Sequence, residues 1–230
     1  MGTWKDALHR LAESQHGVVH HSQAVALAPT RSAARHELHQ GRWDDSSPGI
    51  HRLVGAPQTT DQAMMSDILR AGPGSAISHH SASALWGVPG ESPLPTHITR
   101  PRHTSGKRLD HMVLHEARRL NGDQVTTLRG LPLVRPERVP FDLANIGVRA
   151  ERVERVVDRL WTERLVSGRS LGRVLESLPR RGFRGTALMR RLLDDRGEDW
   201  VPPASGLESR TMTLLERNGF QQFARFINIY

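Results

Sequence analysis

Apolar residues recur at helical spacing from Trp4 to Gln15, where Trp4, Ala7, Leu8, Leu11 and Ala12 form one stripe and Gly17 supplies the stop. A second short helix is predicted over Ser22–Leu27, capped by Ser22 and closed by Pro29. A third begins behind Thr30, whose hydroxyl suits the orphan amides of Arg31-Ser32-Ala33, and runs to Gln40 before Gly41. Three short helices with a tight turn before the third make a helix-turn-helix candidate. Arg42-Trp43 and Gly49–Gly55 then read as two short strands joined by the polar turn Asp44–Pro48, a pair placed where a wing belongs.

Pro57–Thr60 reads as a linker, and Thr59 with Gln62 predicts a capping box for a helix carrying Ala63, Met64, Ile68 and Leu69. Beyond it the periods mix. Ser78 is the expected cap of a helix from His79 to Gly87, followed by strand-like Thr96–Thr99, Met112–Leu114 and Val125–Leu128. Arg100–Arg108 is a basic stretch with two readings, a second surface for a nucleic-acid backbone or a solvated hairpin tip. Pro136 opens a helix with Phe141, Leu143 and Ala144, and Val153, Val156, Val157, Leu160, Trp161 and Leu165 mark the clearest amphipathic helix, a stripe that suits core better than a partner-binding scaffold. Helices are predicted over Leu171–Leu178 and Thr186–Leu193. After a break at Gly197–Pro203, Ser205 caps a helix to Asn218, and Phe223–Tyr230 alternates like a strand. The expected fold class is α+β: an N-terminal winged helix-turn-helix (1–56), a mixed α+β domain (57–197) and a short helix-strand remnant (198–230).

Composition narrows the chemistry. The 230 residues include no cysteine, which excludes a disulfide scaffold, a dithiol redox centre and a zinc-thiolate site. The net charge of +8 favours polyanionic partners, although all but two of the 32 basic residues, Lys5 and Lys107, are arginine, a skew that nucleotide composition also produces. No apolar run approaches a membrane span and no signal core opens the chain, so a cytoplasmic protein without membrane contact is expected.

If the third helix enters a major groove, the face opposite Ala34 and Leu38 carries Ser32, His36, His39 and Gln40, flanked by Arg31 and Arg35. Arginine engages guanine O6 and N7 through two donors, Thr30 and Ser32 near a helix start suit a phosphate oxygen, and Arg42 and Arg52 are placed for wing or backbone contacts. Protonation of His36 and His39 below about pH 6.5 would strengthen such binding. The competing reading is a helical subdomain with a solvated basic face. Among the 13 histidines the pairs His36/His39, His79/His80 and His111/His115 lack the glutamate of a metalloprotease pair and thiolate company, so no metal and no cofactor is expected. Ser75, Ser78 and Ser81 near His79 and His80 lack a nucleophile elbow, and no phosphate loop or dinucleotide fingerprint is present, so no catalytic residue is assigned.

Several stretches carry a resemblance. Ser22-Gln23-Ala24, Arg31-Ser32-Ala33, Gly41-Arg42-Trp43 and Pro48–Leu53, continuing through Ile77–Ala82, Ala84–Gly87 and Phe141–Ala144, resemble AbiEi-type antitoxins of type IV toxin-antitoxin systems, over the chain to about residue 195. The resemblance implies a repressor that binds double-stranded DNA at its own promoter, often at inverted repeats and so as a homodimer, and that opposes a nucleotidyltransferase-like toxin without stable contact. Ser205–Arg210 with Leu214-Leu215 and Asn218–Phe220 resembles the opening helix of very-short-patch-repair-like endonuclease domains. That implies a metal-binding role for Glu208, but the later strands and the acid-x-Lys pair are missing, and an acidic residue in a first helical turn is favoured by the macrodipole alone. The alternative function is therefore a fragment of a metal-dependent endonuclease with a DNA-targeting winged helix.

Overall fold

The computed structural model describes residues 3–102, 111–117, 120, 122–178, 185–196 and 214. They form a mixed α+β protein. The chain divides into two compact units, Met1–Leu143 and Ala144–Tyr230. No described helix is long and apolar enough to cross a membrane.

The first unit opens with α1 (Trp4–Ser14), β1 (Val18–His20), α2 (His21–Leu27), α3 (Arg31–Leu38), β2 (Trp43–Ser47) and β3 (Ile50–Leu53). Thr3 caps α1 in a capping box with Asp6, and the stripe read from the sequence faces inward: Leu8 and Ala12 are fully buried, with Trp4 and Leu11 packed alongside. Leu8, Ala12, Val19, Ala24, Ala34, Leu38 and Trp43 make one core, each buried leucine contributing on the order of 1.5–3 kcal/mol. The three strands are antiparallel in the order β1-β3-β2, with Val19 opposite His51 and Asp45 opposite His51. Two glycines are needed as glycines. Gly17 turns the chain from α1 into β1 at φ +83°, where a Cβ would stand 2.6 Å from the Cβ of Ala56, and Gly49 takes φ +80° in the hairpin.

Two details differ from the sequence reading. The N-cap of α2 is His20, whose Nδ1 accepts from the Ser22 amide while Gln23 reaches back to the His20 amide; Ser22 lies inside the helix. The strands of the hairpin extend through Asp44–Ser47, leaving only Pro48-Gly49 to turn, because β3 pairs with β2 on one side and β1 on the other.

Next follow α4 (Thr60–Ala71), β4 (Ala76–Ile77), α5 (His79–Leu85), β5 (Thr96–Pro101), β6 (Met112–Ala117), β7 (Val125–Leu128), β8 (Leu131–Val134) and α6 (Val139–Asn145). Thr59 caps α4 as expected. The return half of the box is not made, since the Gln62 side-chain amide instead donates to the His16 carbonyl at 2.8 Å and so ties α4 to the loop between α1 and β1. The second sheet has the order β6-β5-β4-β8-β7, with β5/β6 and β4/β8 parallel and the other pairs antiparallel. Pro132 is tolerated inside β8 because β4 is two residues long and meets β8 only at Leu133. Ile77, Ile98, Leu131 and Leu133 are fully buried along it.

The second unit contains α7 (Ala150–Thr162), α8 (Gly168–Ser177) and α9 (Thr186–Asp194). The stripe of α7 is buried at Val153, Val156, Val157 and Leu160, as the periodicity requires. Ser167 and Ser170 form a reciprocal cap for α8, which starts three residues earlier than the apolar pattern indicates. The expected helix-strand remnant with Glu208, and most of the basic stretch Arg100–Arg108, lie outside the described residues.

Candidate functional site

The helix α3 is fixed from one side only. Thr30 caps it by accepting from the Ala33 amide at 3.0 Å, Ala34 and Leu38 enter the core, and Glu37 is buried to 1% exposure. The Lys5 ammonium of α1 sits 2.6 Å from the Glu37 carboxylate, and His9 lies 3.9 Å away, so a buried charge orients α3 on α1.

The opposite side stands in solvent. Thr30, Arg31, Ser32, Arg35, His36, His39, Gln40 and Arg42 are all exposed. His36 contacts Gln40 one turn on, and the His39 ring faces the edge of His51 at 6.4 Å. The face combines guanidinium forks, a hydroxyl and imidazoles at helical spacing. Those groups can donate to phosphate oxygens and to base edges.

The hairpin has a different character. Arg52 is half-buried and its guanidinium donates to Asp44 at 3.1 Å, so it is committed within the hairpin. Asp45 is 2.8 Å from His51 and remains largely exposed. Burial holds His51 below the ordinary imidazole value, with Asp45 acting in the opposite sense. Of the eight residues expected at a DNA surface, seven therefore share the α3 side or its ends, while Arg52 sits across the hairpin bonded to Asp44.

The histidine pairs read from the sequence do not assemble as pairs. The His80 ring meets Glu91 at 2.6 Å, and His111 meets Asp67 at 3.0 Å and contacts Arg70. Ser78 sits at the N-cap of α5 without making a side-chain cap bond; its hydroxyl instead meets His79 Nδ1 and accepts from Thr99, each at 2.8 Å. His79 and His115 come together with His97, which the sequence reading passed over, and one ligating nitrogen from each lies within 4.8 Å of the others. Proximity in sequence was no guide, because adjacent strands and the β4–α5 junction bring the three rings together.

No protein-family model matches the chain, and no curated protein matches it.

Proposed function

We propose that this chain is a double-stranded-DNA-binding transcriptional repressor that reads its site with α3, and that it serves as an antitoxin opposing a nucleotidyltransferase-like toxin. The element order helix, strand, helix, helix, strand, strand, with β3 central, supports this reading, since it suits a winged helix-turn-helix in which Ala28-Pro29-Thr30 would be the turn. The observation that carries the reading is the two-sidedness of α3. Ala34, Glu37 and Leu38 anchor it, while Arg31, Ser32, Arg35, His36 and His39 project into solvent on a rigid element. The net charge of +8 adds a general attraction to the duplex. The antitoxin role rests on the sequence resemblance, with self-repression at inverted repeats by a homodimer as its regulatory form.

Fluorescence anisotropy with duplex DNA from upstream of the gene tests the DNA reading. Arg35→Ala and Arg42→Ala should each weaken binding, and the fall of log affinity with log salt should become shallower by about one unit for each phosphate that the variant leaves unneutralised. An unchanged salt slope in both variants would remove Arg35 and Arg42 from the interface. Rescue of growth on co-expression with an adjoining nucleotidyltransferase-like gene tests the antitoxin role separately.

A further inference from the structure

In the five-stranded sheet, β5 and β6 run parallel with Thr99 opposite His115 and His97 opposite Val113. Side chains alternate faces along a strand, so His97 and His115 lie diagonally on one face. His97 Nδ1 and His115 Nε2 are 3.1 Å apart. On the other side of β5, β4 pairs Ile77 with Ile98, and the Ser78 amide donates to the His97 carbonyl at 2.9 Å. The next residue, His79, takes φ +51°, a region that non-glycine residues rarely occupy and that marks a position held by its surroundings. Its ring stacks on that of His115 with centroids 3.5 Å apart, and the His97 ring lies 5.3 Å from His115. Three neighbouring elements thus deliver one imidazole each to one point.

The surroundings suit metal ligation better than acid–base work. His79 is buried and His97 and His115 are half-buried, and this desolvation, with the neighbouring imidazoles, disfavours the charged form of each ring. His79 Nδ1 lies 2.8 Å from the Ser78 hydroxyl, a second-layer contact of the kind that orients ligating histidines. The next layer is ordered too: His80 packs edge-on against His97 at 5.2 Å and is held by the buried Glu91 carboxylate.

We propose that His79, His97 and His115 bind one divalent transition-metal ion of the zinc class, with a fourth position open to water. Two nitrogens bound to one tetrahedral zinc at 2.0–2.1 Å stand about 3.3 Å apart, close to the spacing that His97 and His115 already hold. Bringing the third nitrogen in requires the His79 ring to rotate out of its stack. Three imidazoles without thiolates favour zinc, cobalt, nickel or copper over calcium or magnesium. The bound ion would pin the β4–α5 junction to β5 and β6. The site lies in the second sheet and is independent of the DNA reading.

The test uses the untagged full chain, dialysed against chelator and titrated with Zn²⁺ by calorimetry and with Co²⁺ by visible absorption. One equivalent should bind, and the thermal midpoint should rise with free metal. His97→Gln and His115→Gln should each weaken binding by about tenfold or more, and Ser78→Ala, which removes no ligand, by about tenfold. The double variant His36→Ala/His39→Ala should bind as the parent does. X-ray absorption at the zinc edge counts imidazoles on the unaltered protein and needs no variant to fold; three are expected. Absence of a one-equivalent site, fewer than three imidazoles, or binding that survives His97→Gln and His115→Gln would overturn the assignment.

Discussion

The imidazoles of His36 on α3 and His39 at its C-terminal cap stand in water, three residues apart, whereas in the second sheet those of His79, His97 and His115 are drawn together from a strand–helix junction and two strands. The side chain is the same and the environment assigns the task. In the reading proposed above, exposed imidazoles on a cationic helix would donate to a polyanion, while a buried imidazole and two half-buried ones would offer lone pairs to a metal ion. The contrast also separates two kinds of organisation: a surface made by one element, and a cluster that forms only when strands in register and a strand–helix junction meet.

The largest effects should come from removing the anchors of the two regions. Leu38→Ala under α3 and Ile98→Ala between His97 and Thr99 each empty a fully packed position, at 2% and 0% exposure, and should destabilise by about 2–5 kcal/mol in urea titrations. Coincident loss of both regions in either variant would make them one cooperative block; separate transitions would sharpen the division between them. A loss under about 1 kcal/mol would contradict the packing described.

A pH control comes from the C-terminal unit. Burial raises the Asp158 carboxyl to about 6 despite Arg196 at 2.9 Å, with Glu154 adding to the rise. A carboxyl raised in the folded state takes up its proton more readily when folded. Its stabilising contribution is therefore full below about pH 4 and is lost as pH rises through about 6, changing by at most about 1.4 kcal/mol per pH unit. The depressed histidines cost stability in both proteins as pH falls, so the effect is read as a difference: from pH 7 to pH 5 the parent should gain stability relative to Asp158→Asn. An identical pH slope in the two proteins would contradict it.

Smaller effects probe the surface. His36→Ala and His39→Ala should leave stability within about 0.5 kcal/mol, yet weaken DNA binding by roughly three- to tenfold, the scale of one hydrogen bond. Loss of stability without loss of binding would invert the comparison. Smallest of all, if the hairpin flanks the duplex as proposed, Asp44→Asn with Asp45→Asn should tighten binding by about twofold, since two carboxylates would no longer repel phosphates and Arg52 would be released from Asp44. Weaker binding by the pair would place the hairpin away from the duplex.

What was legible in the sequence follows the same division. The helices α1, α3 and α7 announce themselves by an apolar stripe with a local start or stop signal, and Thr30 and Thr59 cap as read. Strands of two and three residues do not: Ala76-Ile77 and Val18–His20 have no period to display and exist because longer neighbours pair with them. Leu131–Val134 was hidden by Pro132, which argues against a strand unless the neighbouring strand stops short, as β4 does. The helix side of the candidate DNA surface was accessible because 100° per residue suffices to name its members. The commitment of Arg52 to Asp44 was not, since it depends on cross-strand register. The trio of histidines was out of reach for the same reason. His97 and His115 are related by a parallel register, and His79 joins them only through the pairing of Ile77 with Ile98.

Backbone amide shifts recorded while a duplex from upstream of the gene is titrated into the labelled protein test the central claim most directly. The account predicts that the largest changes fall on Arg31, Ser32, Arg35, His36 and His39, with the interior neighbours of Leu38 moved far less. Changes concentrated on the five-stranded sheet or the C-terminal unit, with α3 silent, would contradict it.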